Sequence, residues 1–280
     1  MGDLRRAQWF GLRLAKFAVV KLQTRIPFEV SRLLDDLTSQ LPVILGRNLV
    51  GIYLYGSLTQ RAFNPKRSDI DCIVVTRRDL SDAQFRKLGA WLAEAGKSNP
   101  WFARLQMSIL IRDQLLAIDS NYCLFQFGQL KRDASDGNPI IWINVLDSGV
   151  TLYGANPKSF VPPISGDLFF AALKREINYL REELIEKRNS KWRDAPFYRA
   201  YAVLTLCRIL YSLAKGTVVS KPRAAKWAMK QVPDKLKTII LQALDGDGDS
   251  ENRSAAISLP HIREFINFAD ARFALESRRT

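Results

Sequence analysis

Two carboxylates, Asp69 and Asp71, stand two residues apart in Ser68-Asp69-Ile70-Asp71, with a Gly56-Ser57 pair a short distance upstream. On an extended strand alternate side chains share a face, so the spacing turns both carboxylates the same way, roughly 6 to 7 Å apart along the backbone. Paired hard oxygen ligands with room left for water and substrate phosphates suit Mg²⁺. Two such ions about 3.5 to 4 Å apart would clamp an in-line displacement. Gly56 ends the apolar run from Val50 to Tyr55, where its lack of a side chain permits a tight turn and a close approach of backbone to ligand. Ser57 is then the expected start of a helix, where unpaired amides and a hydroxyl welcome an anion. Separately, Gly-Ser is a common turn and Asp-x-Asp a solvated strand cap. Joined by a short proline-containing connection, they form the minimum equipment for metal-dependent nucleotidyl transfer.

The elements that carry these groups follow from hydrophobic period. Residues 29 to 43 predict an amphipathic helix, followed by the strand ending at Tyr55 and a second strand from Ser68 to Thr76. Ser81 to Gly96 predicts a helix whose entry Leu80 and Phe85 staple, and Phe102 to Ile111 a third strand. Ile140 to Asn144 leads into Leu152-Tyr153. The pattern is a small mixed sheet with helices against it. Pro157, Pro162 and Pro163 punctuate a linker, and beyond it the period becomes 3.6. Helices are expected over Asp167 to Lys187, Pro196 to Lys215, Lys221 to Val232, Asp234 to Leu244 and Leu259 to Ser277, with Gly216 as a stop. The chain therefore divides into a basic extension over 1–26, expected to be helical, an α/β domain over 27–157 and an all-α domain over 158–280. The acidic stretch from Asp245 looks like a calcium loop, but Ser250 and Ala256 stand where that loop needs glycine and glutamate.

Composition narrows the chemistry. The 280 residues, 47% of them hydrophobic, suffice for two domains. Cys72, Cys123 and Cys207 are scattered through apolar segments, as buried free thiols in a reducing compartment would be. His261 is the single histidine and sits at a helix start, which excludes a histidine-based triad. A net charge of +14 suits a polyanion, either RNA or nucleotide. In the N-terminal 25 residues basic and apolar positions overlap on a helical wheel. Charges interrupt any membrane-length span and no signal-peptide cleavage site follows, so a cytoplasmic protein is expected.

Gly56-Ser57 with Ser68-Asp69-Ile70-Asp71 resembles the signature of the polymerase-beta-type nucleotidyltransferase superfamily. Residues 202–228 resemble the helical domain of the bacterial streptomycin/spectinomycin adenylyltransferases, and the likeness runs from about residue 28 to 270. The resemblance implies nucleotide-phosphate contacts at Ser57 and Ser68 and metal ligands at Asp69 and Asp71. It also implies that Arg208 and Lys221 reach the nucleotide phosphates, so that ATP is closed between two domains. The residues agree. A guanidinium in the apolar helix around Arg208 needs an anionic partner, either a phosphate or a structural carboxylate. Lys221 follows a capping Ser220, with Pro222 next, so a lysine and free amides coincide at one helix start.

Three positions depart from the relatives. Gln106 stands where they have the glutamate that takes the acceptor's proton, and an amide cannot accept a proton at pH 7. Leu130 matches their drug-contacting tryptophan and Tyr198 their drug-contacting aspartate, with Asp194 near enough to substitute. The resulting expectation is transfer of AMP from MgATP to a hydroxyl, aminoglycoside-like by resemblance. The alternatives are adenylyl transfer to a macromolecule such as tRNA, and a nucleotide-binding protein that has lost catalysis.

Overall fold

The structure, a computed structural model, describes residues 26–117, 122–135, 137–187, 191–246 and 257–276. The basic N-terminal extension and the acidic loop beyond Gly246 lie outside the described residues. Two compact units, Met1–Pro163 and Ile164–Thr280, make up the chain.

In the first unit, helix α1 (Phe28–Leu45) buries Val30, Leu33, Leu34, Leu37, Leu41 and Leu45, a stripe at intervals of three and four. It leads into strands β1 (Leu49–Tyr55) and β2 (Ile70–Thr76), then helix α2 (Asp82–Ser98). Ser81 caps α2 in a reciprocal capping box with Gln84, and Leu80 and Phe85 both pack inward at its entry. Strand β3 (Leu105–Ile111) runs parallel to β2, because α2 supplies the crossover that a parallel pair requires. A hairpin of β4 (Tyr122–Gln126) and β5 (Gln129–Ser135) extends the sheet. Helix α3 (Pro139–Ser148) and β6 (Val150–Gly154) complete it in the order β5-β4-β3-β2-β1-β6. A mixed sheet with helices against it, followed by a helical unit, is the architecture the hydrophobic pattern predicts, with more strands than the pattern showed.

The two sheet faces have different company. Ile52, Leu54, Ile70, Cys72, Val74, Leu105, Met107, Ile109, Cys123 and Phe125 share one buried cluster with α1 and α2. The residues between them form the other face. There Tyr53 meets Trp142 of α3 edge-on at 6.5 Å, and Trp142 Nε1 donates to the Leu115 carbonyl at 2.9 Å.

Two local expectations are corrected, and one element was not foreseen. The segment after Gly56 is a set of turns rather than a helix, closed by Gln60 N donating to Gly56 O and Ala62 N to Ser57 O. Ile140 to Asn144 is helical, because Asn138 accepts from Ile140 N at 2.9 Å and Pro139 opens the first turn. The β4–β5 hairpin was not anticipated. Its turn is Phe127-Gly128, with φ of 52° and 73°, the pair of positive angles that a two-residue hairpin of this hand requires.

The second unit is helical: α4 (Gly166–Arg181), extended by a π-turn over Glu182–Glu186, α5 (Lys191–Asp194), α6 (Pro196–Lys215), α7 (Lys221–Ala228), α8 (Asp234–Gly246) and α9 (Leu259–Glu276). Helix α6 is central to this unit: Ala202, Val203, Leu204, Leu206, Cys207, Ile209 and Leu210 are buried. Gly216 in the left-handed region (φ 65°) ends it, as expected. Lys174 and Arg181 of α4 both pair with Asp270 of α9. Among the described residues no helix is long and apolar enough to cross a membrane.

Candidate active site

Strand register assembles the site at one end of the first unit's sheet. Tyr55 pairs with Asp71 across β1–β2, and Asp71 with Gln106 across β2–β3. Both therefore lie on the face opposite the α1–α2 core. Asp69, one residue before β2 begins, receives a hydrogen bond from Gln106 Nε2 to its Oδ2 at 2.8 Å. A carboxylate has only acceptor lone pairs, so the amide must present its NH₂ there and turn its Oε1 away. Asp69, Asp71 and Gln106 are thus brought together.

Gly56 is required at this corner. Its φ is 75°, and a Cβ built on it would lie 2.1 Å from Asp71 Oδ2. The Asp71 carboxylate occupies the space that any side chain at position 56 would fill. Ser57 follows with its hydroxyl oxygen buried and, among the described residues, without a hydrogen-bond partner. A buried donor left unmade is costly, and phosphate oxygen would satisfy it. The connection is held from below by buried Leu58 and from the side by Gln60, whose Nε2 donates to Asn144 Oδ1 at 3.2 Å. Ser68 is differently employed: its Oγ accepts from Asn64 N at 2.9 Å, closing the loop that delivers Asp69. Arg104 Nη1 donates to Pro65 O at 2.7 Å and its other amino group to Ser68 O, while the guanidinium lies 4.3 Å from the centre of the Trp101 ring.

Among the described residues no group of three or more His, Cys, Asp or Glu side chains could hold a metal. A cation at this corner would have two carboxylates and take its remaining ligands from substrate phosphate and water. That is the donor set Mg²⁺ favours and a poor one for a structural metal.

Leu130 does not join this site. It packs with the α1–α2 cluster, close to Gly89 of α2, on the opposite face of the sheet. Its neighbours Gln129 and Lys131 take the carboxylate face, since Gln129 pairs with Gln126 and Lys131 with Leu124. One residue of register separates the two outcomes.

In the helical unit Arg208 is half-buried on α6 and, among the described residues, makes neither a hydrogen bond nor an ion pair. The structural carboxylate that would have explained it is not found there. Thr205, one turn earlier, is buried, and among the described residues its Oγ1 has no partner. Tyr201, Thr205 and Arg208 follow at intervals of four and three on one face of the helix. Lys221 opens α7 with its Nζ 5.1 Å from the centre of the Tyr201 ring. Ser220 precedes it as expected but makes no side-chain cap. Tyr198 stacks on Trp192 at 4.4 Å, and Tyr179 and Tyr201 each meet the same indole edge-on at 5.5 Å. Burial, then the neighbouring Glu183, pushes the Tyr179 hydroxyl above its ordinary pKa. Asp194 closes the short α5. Thr205 could have been found in the sequence as a hydroxyl three residues before Arg208 in an apolar run. The hairpin residues had only the Phe-Gly pair as a signal.

Residues 159–272 match the profile described as the aminoglycoside adenylyltransferase C-terminal domain. The chain is related to the aminoglycoside adenylyltransferases. It is 25% identical over 260 residues to the aminoglycoside (3'') (9) adenylyltransferase of Escherichia coli, covering 86% of this chain and 93% of that one. It is 24% identical over 230 residues to the spectinomycin 9-adenylyltransferase of Campylobacter jejuni, covering 77% and 84%. The spectinomycin adenyltransferase AAD(9) from Enterococcus faecialis, solved with ATP and spectinomycin, has the same fold. The TM-score is 0.64 at 18% identity, over 87% of this chain and 98% of that one. The resemblance of residues 202–228 to the helical domain of the streptomycin/spectinomycin adenylyltransferases is thereby borne out.

Proposed function

We propose that the protein is a Mg²⁺-dependent adenylyltransferase that moves AMP from ATP to a hydroxyl group. The observation that carries this reading is the meeting of Asp69 and Asp71 beside Gly56 and the unsatisfied hydroxyl of Ser57. Kinship with adenylyltransferases supports it. Asp69 and Asp71 would hold the magnesium, which when bound supplies neutralisation of the triphosphate charge. Ser57 donates to a phosphate oxygen. In the helical unit Arg208 and Lys221 would contact the phosphates. The acceptor oxygen bonds to the α-phosphorus, the bond to the bridging oxygen breaks, pyrophosphate leaves, and the acceptor proton is lost.

Gln106 sets the rate of that last event. It stands where a base would be needed and can only orient the hydroxyl through Oε1, so the proton passes to water. General-base catalysis contributes typically about 10² to 10⁴, and its absence predicts slow turnover. The same observation favours a second reading, in which MgATP binds and transfer no longer occurs. Pyrophosphate release, followed with streptomycin, spectinomycin and a tRNA pool as acceptors, separates the two. Release above the acceptor-free rate supports transfer. MgATP binding with no release from any acceptor supports the second reading, and absence of MgATP binding would sink both.

A further inference from the structure

The β4–β5 hairpin ends at the same end of the sheet as the carboxylates. Met107 pairs with Phe125, so one step further along the register Gln126 lies beside Gln106. Gln129 pairs with Gln126. Asp71, Gln106, Gln126 and Gln129 thus form a row across one face, about 14 Å long at ~4.8 Å per strand. Lys131, exposed, is next along β5 on that face.

The turn closing this row is strained. Phe127 has φ 52°, and among the described residues only it and Arg61 are non-glycine residues with positive φ. Asparagine is the usual occupant of such a position, since it tolerates the left-handed region and a bulky side chain does not. Nothing in the fold requires a phenyl group here, for Phe127 is 75% exposed. Folding therefore bears both the strain of this backbone and an apolar ring in water, beside the Gln126 and Gln129 amides, which make no side-chain hydrogen bond among the described residues.

We propose that the hairpin is the acceptor arm of the site, and that the acceptor is a neutral, hydroxyl-rich ring compound. The inference rests on the adenylyl-transfer reading. The Phe127 ring offers its face to the C–H face of a sugar-like ring, as aromatic side chains at recognition sites do. The amides of Gln126 and Gln129 each supply donors and an acceptor, the complement of a hydroxyl, which is both. A row about 14 Å long accommodates two or three pyranose rings. A polycation would find no charge in these amides and would meet Lys131 on the same face, in a chain of net charge +14.

The test uses the full chain, with maltotriose and streptomycin as probes, and saturation-transfer NMR for binding with and without MgATP. Wild-type protein should bind maltotriose at least about tenfold more tightly than streptomycin. Phe127→Asn should raise the melting temperature by about 2 to 4 °C, because the strain is relieved. It should also weaken maltotriose about tenfold, the size of one stacking contact, and leave the MgATP affinity unchanged. Gln129→Ala should weaken maltotriose without the gain in stability. The proposal is overturned if wild-type protein binds no maltotriose, if streptomycin binds as tightly, or if Phe127→Asn leaves maltotriose affinity as it was. Failure of MgATP to bind, with maltotriose bound, would fault the transfer reading and not the hairpin.

Discussion

Gln106 donates its amide hydrogen to Asp69 Oδ2 at 2.8 Å, where a nucleotidyl-transfer site gains most from a carboxylate. The hydrogen bond has two consequences. It helps to fix the Asp69 side chain, and it leaves only Oε1, which cannot take a proton at neutral pH, for an acceptor.

Gln106→Glu should therefore raise adenylyl transfer to any hydroxyl the wild type accepts by one order of magnitude or more. It also sets a third carboxylate beside Asp69 and Asp71, so Mg²⁺ should bind more tightly and the metal-free protein should be less stable. Pyrophosphate release and a magnesium titration of the melting temperature read both effects. An unchanged rate would remove Gln106 from the reacting centre.

Asp69→Asn and Asp71→Asn each remove one unit of charge and keep the side chain's shape. Gln106 can still donate to the carbonyl of an asparagine at position 69, so the fold should be retained. Magnesium-dependent ATP binding, measured by calorimetry, should weaken at least about tenfold in each. Binding equal to wild type in both would refute the assignment.

Gly56→Ala tests the corner where Asp71 lies. An alanine Cβ would collide with Asp71 Oδ2 and suffer the unfavourable φ of 75°. Gly46, with φ 55° and nothing within 4 Å of a Cβ, is the matched control. Both alanine variants should lose roughly 1 to 2 kcal/mol in denaturant unfolding, and Gly56→Ala alone should also lose metal-dependent ATP binding.

If the charges of Arg208 and Lys221 face the outer phosphates, Arg208→Ala and Lys221→Ala should each weaken ATP more than AMP. Unlike most half-buried arginines, Arg208 has no protein partner to strand among the described residues, so Arg208→Ala should cost little stability. Equal losses for the two nucleotides would make both residues structural.

The three cysteines should resist thiol reagents in the native state and react on unfolding. All are buried, and burial pushes the Cys72 thiol up to about 12. Cys207 is displaced in the same direction. Because the folded pKa values of Cys72 and Cys207 exceed the unfolded one near ~8.5, this contribution to stability is full below that pH. It falls as pH rises from about 9 toward 12. Thermal melts across that range, compared with those of Cys72→Ala, check the sign.

How far sequence reaches here depends on the distance over which a residue's environment is decided. Asp69-x-Asp71 and the Gly56 turn are local matters of pleat period and backbone freedom, so their meeting at one corner was legible, as were the bounds of α6 from Pro196 to Lys215. The contact between Gln106 and Asp69 was legible only through resemblance, because it depends on parallel pairing across a 17-residue helix. The face that Leu130 takes was not legible for a sharper reason. Alternation on a strand is a matter of parity, and only the pairing of β5 with β4 determines which parity faces the carboxylates. The hairpin with its strained Phe127 and, among the described residues, the unsatisfied hydroxyls of Ser57 and Thr205 and the missing partner of Arg208 are likewise properties of what surrounds a side chain. Sequence specified the chemical groups and their local spacing, while tertiary packing decided which of them share a face and which are left for a ligand.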